Sequence, residues 1–119
     1  MKTILLTNNP MVRDRLGEGR QVRYQEGSFR EILVAARDLI HQGHRLLTHP
    51  LSGSIKPNET PYKSMLLTQD AGALDFESVE IIENAIVACD KFPIKFPNMT
   101  DQIRADFQLL DFTLISSAL

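Results

Sequence analysis

The sequence is poor in cysteine and in long apolar runs, and each shortage excludes a class of protein. Cys89 is the only cysteine among 119 residues, so an intramolecular disulfide cannot form and a secreted disulfide framework is excluded. A reducing cytoplasm is therefore the expected location. The apolar run at residues 3–6 is far too short for a signal-peptide core or a membrane span, and we expect it to form a strand.

An excess of positive charge is also missing. The chain carries 13 lysine and arginine residues against 15 aspartate and glutamate residues, a formal net charge of -2. Proteins that bind nucleic acid usually present a basic surface, so we expect neither nucleic acid nor a membrane as a partner. The apolar share of 43% and the charged share of 24% are typical of a soluble globular protein. The length predicts a single α/β domain over residues 1–119.

Strand and helix signals alternate along the chain. Apolar or alternating stretches predict four strands, at residues 3–7, 20–25, 45–48 and 63–68. Side chains that can cap a helix precede four further segments: Asn9, Ser28, Asp75 and Thr100. Gly43 is expected to end the second helix in a left-handed conformation. In the last helix, the residues expected on one face are Ile103, Phe107, Leu110 and Leu114.

This order of elements predicts a three-layer α/β fold. We expect an open, mainly parallel sheet of about four strands in the order 2-1-3-4, flavodoxin-like or Rossmann-like, with a C-terminal helix pair. Leu-Leu-Thr closes three of the strands, so the polar residues that follow them should converge on one edge of the sheet. Ligands bind there, where the strand order reverses. Asn8, Asn9 and His49 are expected to lie together at that edge.

The spacing of the three histidines does not fit a shared metal site. About 15 Å of extended strand separates His44 from His49, so all three cannot ligate one ion, and we predict neither a metal nor a cofactor. His41 is expected at a helix carboxyl terminus, where the dipole stabilises a cation. His44 is expected to begin a strand. His49 is the histidine with a predicted function, because it follows a strand at the expected ligand-binding edge.

Residues 49–63 carry a pattern typical of anion binding. The small residues Ser52, Gly53 and Ser54 let backbone amides approach an oxyanion, and Lys56 and Lys63 add positive charge. The predicted ligand-binding residues are Asn8, Asn9, His49, Ser52, Gly53, Ser54, Lys56, Asn58, Glu59 and Lys63. The alternative is a loop stiffened by prolines, in which the hydroxyls only form turns. A Walker pattern and a nucleophile elbow are both missing, which argues against nucleotide binding and against a serine nucleophile.

Two other side chains were considered. Asp70 directly follows a predicted strand and is the better carboxylate candidate at its end. Cys89 belongs to an apolar helical stripe and is expected in the core.

Residues 37–64, together with the opening Thr7-Asn8-Asn9-Pro10, resemble the GrdX family. Those small proteins are encoded beside the selenoenzyme complexes that reductively deaminate glycine, sarcosine and betaine in anaerobic bacteria. The resemblance implies a cytoplasmic accessory protein in amino-acid metabolism, with subunits of such a complex as partners. It carries over no catalytic residue. The sequence itself offers no dithiol pair and no flavin or dinucleotide fingerprint.

Three hypotheses follow. The leading one is an accessory or regulatory protein that binds a partner or a small anionic ligand through residues 49–63. The rival is a small enzyme that uses His49 as acid or base on a carboxylated or phosphorylated metabolite. The third is a homodimer interface at the loop, involving Leu51 or Tyr62.

Overall fold

A computed structural model describes residues 2–51, 58–94 and 99–119, and it contains three strands and four helices in those ranges. Their bounds are β1 (Thr3–Thr7), α1 (Pro10–Leu16), β2 (Gln21–Tyr24), α2 (Phe29–His41), β3 (Ser64–Thr68), α3 (Phe76–Lys91) and α4 (Asp101–Ser116). No helix in these ranges is long and apolar enough to cross a membrane.

The predicted helix starts are confirmed by their hydrogen bonds. Asn9 accepts from the amide of Met11, and Thr100 accepts from the amide of Ile103. Ser28 and Glu31 form a complete capping box, in which each side chain accepts from the other residue's backbone. Asp75 accepts from Ser78, and this contact lowers the pKa of the Asp75 carboxyl. These helices therefore begin where local side-chain chemistry satisfies their first amides.

Gly43 is confirmed in the left-handed region. Its φ is +106°, and its amide donates to the carbonyl of Ile40 as α2 ends. A Cβ built at this position would lie 2.1 Å from the carbonyl oxygen of Gly72. Both the backbone angle and the close approach therefore require glycine.

The predicted sheet is wrong. The structure has a three-stranded mixed sheet in the order β2-β1-β3, with β1 parallel to β2 and antiparallel to β3, instead of a four-stranded, mainly parallel, flavodoxin-like or Rossmann-like sheet in the order 2-1-3-4. Residues 45–48, the predicted third strand, form only an isolated bridge between Leu46 and Leu67. Side chains take two of the hydrogen bonds that a longer ladder would need, since Arg45 N donates to Thr68 Oγ1 and Leu66 N donates to Thr48 Oγ1.

The reversal of β3 changes which residues meet at each edge. Thr7 pairs with Ser64 and Thr3 pairs with Thr68, so the polar ends of β1 and β3 lie at opposite edges. The predicted convergence of the strand ends is therefore wrong for residues 63–68, whereas residues 45–48 also run antiparallel to β3 and end at the same edge as β1. Asp70 follows Thr68 at the far edge, and it is Lys63, at the start of β3, that meets the end of β1.

The sheet lies between two pairs of helices, as the alternation of side chains along each strand requires. Leu6, Met65 and Leu67 pack with α2 and α3, whereas Leu5 and Leu66 pack with α1 and α4. The helix α4 turns a different face inwards from the one its apolar stripe suggested. Ile103 and Leu110 are 42% and 39% exposed, and the buried residues of α4 are Asp111 and Ile115.

Candidate functional site

A chain of hydroxyl hydrogen bonds crosses the edge of the sheet where β1 ends and β3 begins. The Ser64 hydroxyl donates to Asp111 Oδ2 at 2.7 Å, and the Thr7 hydroxyl lies 2.7 Å from Ser64 Oγ. Because the Ser64 proton is committed to the carboxylate, Thr7 is the donor of the second bond. The amide of Asn9 donates in turn to Thr7 Oγ1 at 2.9 Å. Register explains this line, since paired strand residues point to one face, here the face covered by α4.

Asn9 joins this line to two helices. Its carbonyl oxygen caps α1, and its amide nitrogen donates to Asp111 Oδ2 at 3.0 Å and to the carbonyl of Gln108 at 2.9 Å. The side chain is fully buried. Asn9 therefore fixes the carboxylate of Asp111 at the edge of the sheet.

Asn8 holds the end of residues 49–63 against the sheet. Its side-chain oxygen accepts from the amide of Lys63 at 2.8 Å, and its nitrogen donates to the carbonyls of Pro61 and Gly27 at 2.8 and 3.0 Å. A backbone hydrogen bond from Asn8 N to Lys63 O at 3.4 Å continues the antiparallel pairing of β1 with β3. Asn8 thereby determines where the Lys63 side chain begins.

Lys63 brings a positive charge to this edge. The residue is only 6% exposed, and burial lowers the pKa of its ammonium group while the nearby charge of Asp111 acts in the opposite direction. Lys63 and Asp111 both line two adjoining clefts, which share Leu114 as well. The site therefore combines a buried cation with a buried carboxylate that two donors orient.

The two clefts differ in their other walls. The first is narrow, with a cavity volume of about 20 Å³, and is bounded by aromatic and aliphatic side chains that include Tyr62 and Phe107. The second has a cavity volume of about 170 Å³ and is lined by Thr48, Ser64 and the carboxyl end of α4. The first cleft has room for about one water molecule, so only the second can hold a small molecule.

The structure brings some predicted site residues together and separates others. Asn8, Asn9 and Lys63 meet at the edge of the sheet. Asn58 is buried at φ +66°, and its amide donates to the carbonyls of Cys89 and Phe92 where α3 ends. Glu59 is half-buried. Ser52, Gly53, Ser54 and Lys56 lie outside the described residues.

His49 is exposed, and its ring is engaged locally. The amide of Leu51 donates to His49 Nδ1 at 3.0 Å, so a neutral ring carries its proton on Nε2. The other two histidines have separate partners. His44 Nδ1 donates to the carbonyl of Thr68 at 2.8 Å, and His41 lies 3.8 Å from Glu83. Among the described residues, histidine, cysteine and carboxylate side chains form no group of three that could hold a metal.

Two buried groups complete the description. Burial raises the pKa of the Cys89 thiol, which faces the side chain of Asn58 in the core. Sequence reasoning missed Asp111 entirely. A signal was present, because Asp111 is the one charged residue within residues 107–115, and it lies four positions before the buried Ile115. A lone charge within an apolar helical segment indicates a buried polar contact.

Comparison with known proteins gives a family. No curated protein and no solved structure matches the chain. The family model described as GrdX-like protein matches residues 4–119, which is nearly the whole length of the sequence and includes every residue of the sheet edge described above. This chain belongs to the GrdX-like protein family.

Proposed function

We propose that this protein is an accessory component of the glycine, sarcosine and betaine reductase system, and that it binds a small carboxylate ligand beside Lys63. Membership of the GrdX-like family supports the link to amino-acid reduction. The ligand assignment rests on Lys63, a buried lysine that lines the larger of the two clefts. A cation that burial keeps from water gains more from an anionic ligand than an exposed lysine does.

The loop that leads to Lys63 is suited to binding because its described ends are anchored. Pro50 is fully buried, Leu51 packs against the core formed with α2 and α3, and Asn58 is bonded to the end of α3. Asn8 then fixes the backbone of Lys63. An anchored lysine loses less conformational freedom on binding, which lowers the cost of holding the ligand.

The enzyme hypothesis has less support. A general base must offer an unprotonated nitrogen to its substrate, and the unprotonated nitrogen of a neutral His49 already accepts from Leu51. The other ring nitrogen carries the proton and can only donate. Screening carboxylated and phosphorylated metabolites with the wild type and with His49→Ala tests this rival directly, and activity that disappears in the variant would favour it over the accessory role.

The ligand assignment is tested by the thermal stability of the protein in increasing acetate and phosphate. We expect acetate to raise the melting temperature of the wild type in a saturable manner, as any ligand of the folded state does. Lys63→Met should abolish the effect. Lys91→Met, which removes an exposed lysine at the end of α3, is the matched control and should keep it. Equal responses in both variants would contradict a site at Lys63.

The partner assignment needs a separate measurement. The tagged protein should copurify with subunits of a glycine, sarcosine or betaine reductase from cells that express both. Purified components mixed at micromolar concentrations should form a complex in size-exclusion chromatography. Separate elution of every subunit under these conditions would contradict the accessory role, whatever the outcome of the acetate experiment.

A further inference from the structure

The second cleft has an unusual pair of walls. Lys63 and Asp111 both line it, and they are 6% and 7% exposed respectively. Charged side chains are rarely buried to this degree unless another charge or a polar network compensates them. A ligand that enters this cleft therefore meets a positive and a negative group together, in a cavity of about 170 Å³ that can hold a molecule of a few heavy atoms.

The carboxylate of Asp111 is fixed by hydrogen bonds on one side of the cleft. Within the described residues, both hydrogen bonds that Asp111 accepts end on Oδ2, from Ser64 and Asn9. Because these two bonds hold Oδ2 in place, the position of Oδ1 in the same carboxylate is fixed as well. A group that is already oriented by its neighbours pays little to receive a ligand, which is the general advantage of preorganisation.

The backbone at the end of α4 adds negative charge to the Asp111 side of the cleft. Ser117 and Ala118, which follow α4, also line the cleft. The carboxyl end of a helix carries a partial negative charge and stabilises cations in its last turn. The Asp111 side of the cleft is therefore favourable for a positive group, and the Lys63 side for a negative one. A simple anion would be attracted by Lys63 but repelled by Asp111.

We propose that this cleft binds a small amino-carboxylate zwitterion, with its carboxylate towards Lys63 and its ammonium group towards Asp111 and the end of α4. This inference rests on the proposed function, since it requires a carboxylate ligand at Lys63, and it adds the second charge. The whole ligand is then neutral, as is the Lys63–Asp111 pair that receives it. Charge complementarity of this kind selects against partners that carry only one of the two charges.

Three probes separate the possibilities: glycine as the smallest amino carboxylate, acetate as its carboxylate half and methylammonium as its ammonium half. Titration into ¹⁵N-labelled protein, followed by amide chemical shifts, gives each affinity and its location. We expect glycine to bind at least about tenfold more tightly than either half. The shifts should centre on the start of β3 and the end of α4.

The outcomes distinguish the inference from the proposed function. Acetate that binds as tightly as glycine would overturn the zwitterion assignment and leave the carboxylate site intact. Failure of all three probes to shift these amides at tens of millimolar would overturn both. Shifts that centre on a different surface would also overturn both, because they would show that Lys63 and Asp111 do not form the site.

Asp111→Asn tests the role of the negative charge. Asparagine has the same shape and can still accept from Ser64 and Asn9, and we expect glycine to bind about tenfold more weakly while acetate binds no more weakly than before. Asp106→Asn changes an exposed aspartate of the same helix and should alter neither affinity. Equal glycine binding by Asp111→Asn and the wild type would overturn the proposal.

A second measurement needs no variant. Glycine, β-alanine and 4-aminobutanoate carry the same two charges at increasing separation. Two charged groups fixed by the fold should prefer one of these separations, and at least about a fivefold difference in affinity is expected across the series. Equal affinities for all three would overturn the proposal even if Asp111→Asn failed to fold.

Discussion

Replacing Asn8 by alanine tests how the site is held together. The side chain of Asn8 is 4% exposed and forms three hydrogen bonds, to the amide of Lys63 and to the carbonyls of Pro61 and Gly27. Alanine removes all three and supplies no polar group in return. The amide of Lys63 then lies at a buried position without the acceptor that it has in the wild type.

The expected loss follows from these three bonds. Each intramolecular hydrogen bond contributes about 1 kcal/mol net, so the loss approaches about 3 kcal/mol. Gly27 is exposed and its carbonyl can bind water instead, which reduces the loss to about 2–3 kcal/mol. For a chain of this length the midpoint of thermal unfolding should fall by about 10 °C.

Urea unfolding followed by circular dichroism measures this loss, because four helices dominate the signal. The midpoint should fall while the slope with urea stays the same, since the surface exposed on unfolding is unchanged. Asn84→Ala, an exposed asparagine of α3, is the control and should be neutral or slightly stabilising. A loss below about 0.5 kcal/mol for Asn8→Ala would refute the reasoning, since surface substitutions change stability by that much.

Three further predictions concern stability. Gly43→Ala should cost about 3 kcal/mol or more, because its Cβ would meet the Gly72 carbonyl oxygen at 2.1 Å, whereas Gly72→Ala meets nothing within 4 Å; similar urea midpoints for the two variants would count against this. Asn58→Gly should unfold at a higher temperature than Asn58→Ala, because glycine tolerates a φ of +66° and both variants lose the same hydrogen bonds; the opposite order would contradict this. Burial lowers the pKa of Lys63 below its unfolded value of about 10.4, so the unfolded chain binds more protons between the two pKa values and stability rises with pH there. The wild type should thus gain stability relative to Lys63→Met as the pH rises from neutral towards about 10, and a constant difference in unfolding free energy would refute that assignment.

The helices were predictable because their signals are local. The capping box of Ser28 and Glu31 lies within four residues, and Asn9 is followed directly by the Pro10 that begins α1. The core residues of α2 follow equally from spacing, and Ile32, Ala36 and Leu39 are all buried as expected. The capping residues and the spacing of core residues both lie within about two helical turns, so they can be recognised without knowledge of the tertiary structure.

The sheet was not predictable in the same way. Residues 64–68 form a strand as expected, but an apolar run does not encode whether its neighbour runs in the same or the opposite direction. The pattern Leu46-Leu47-Thr48 matches the end of β1, yet the side chains of Thr48 and Thr68 take hydrogen bonds that a full strand would form with its backbone. These side-chain hydrogen bonds join residues 18 and 23 positions apart, so a local sequence pattern cannot predict them.

The site was predicted in part. Asn8, Asn9 and Lys63 do meet at one edge of the sheet, although the amides of both asparagines are engaged with the protein. Their proposed contact with a ligand stays a prediction. Asp111 was missed because the predicted inner face of its helix was the apolar stripe that includes Leu110, and Asp111 lies beside that stripe rather than within it.

The hydrogen-bond donors at the end of β1 explain why α4 turns the face with Asp111, and not its apolar stripe, towards the sheet. Turning Ile103 and Leu110 inwards would bury about 40% of each side chain further, a gain of about 1 kcal/mol apiece. The same rotation would take Asp111 away from the Ser64 hydroxyl and the Asn9 amide, which lie at a buried edge. Each donor left without an acceptor costs about 1–3 kcal/mol, and the Asn9 bond to Gln108 would be lost as well. Satisfying the polar groups at the end of β1 therefore outweighs the burial of two aliphatic side chains, and it is this balance that brings a carboxylate next to Lys63.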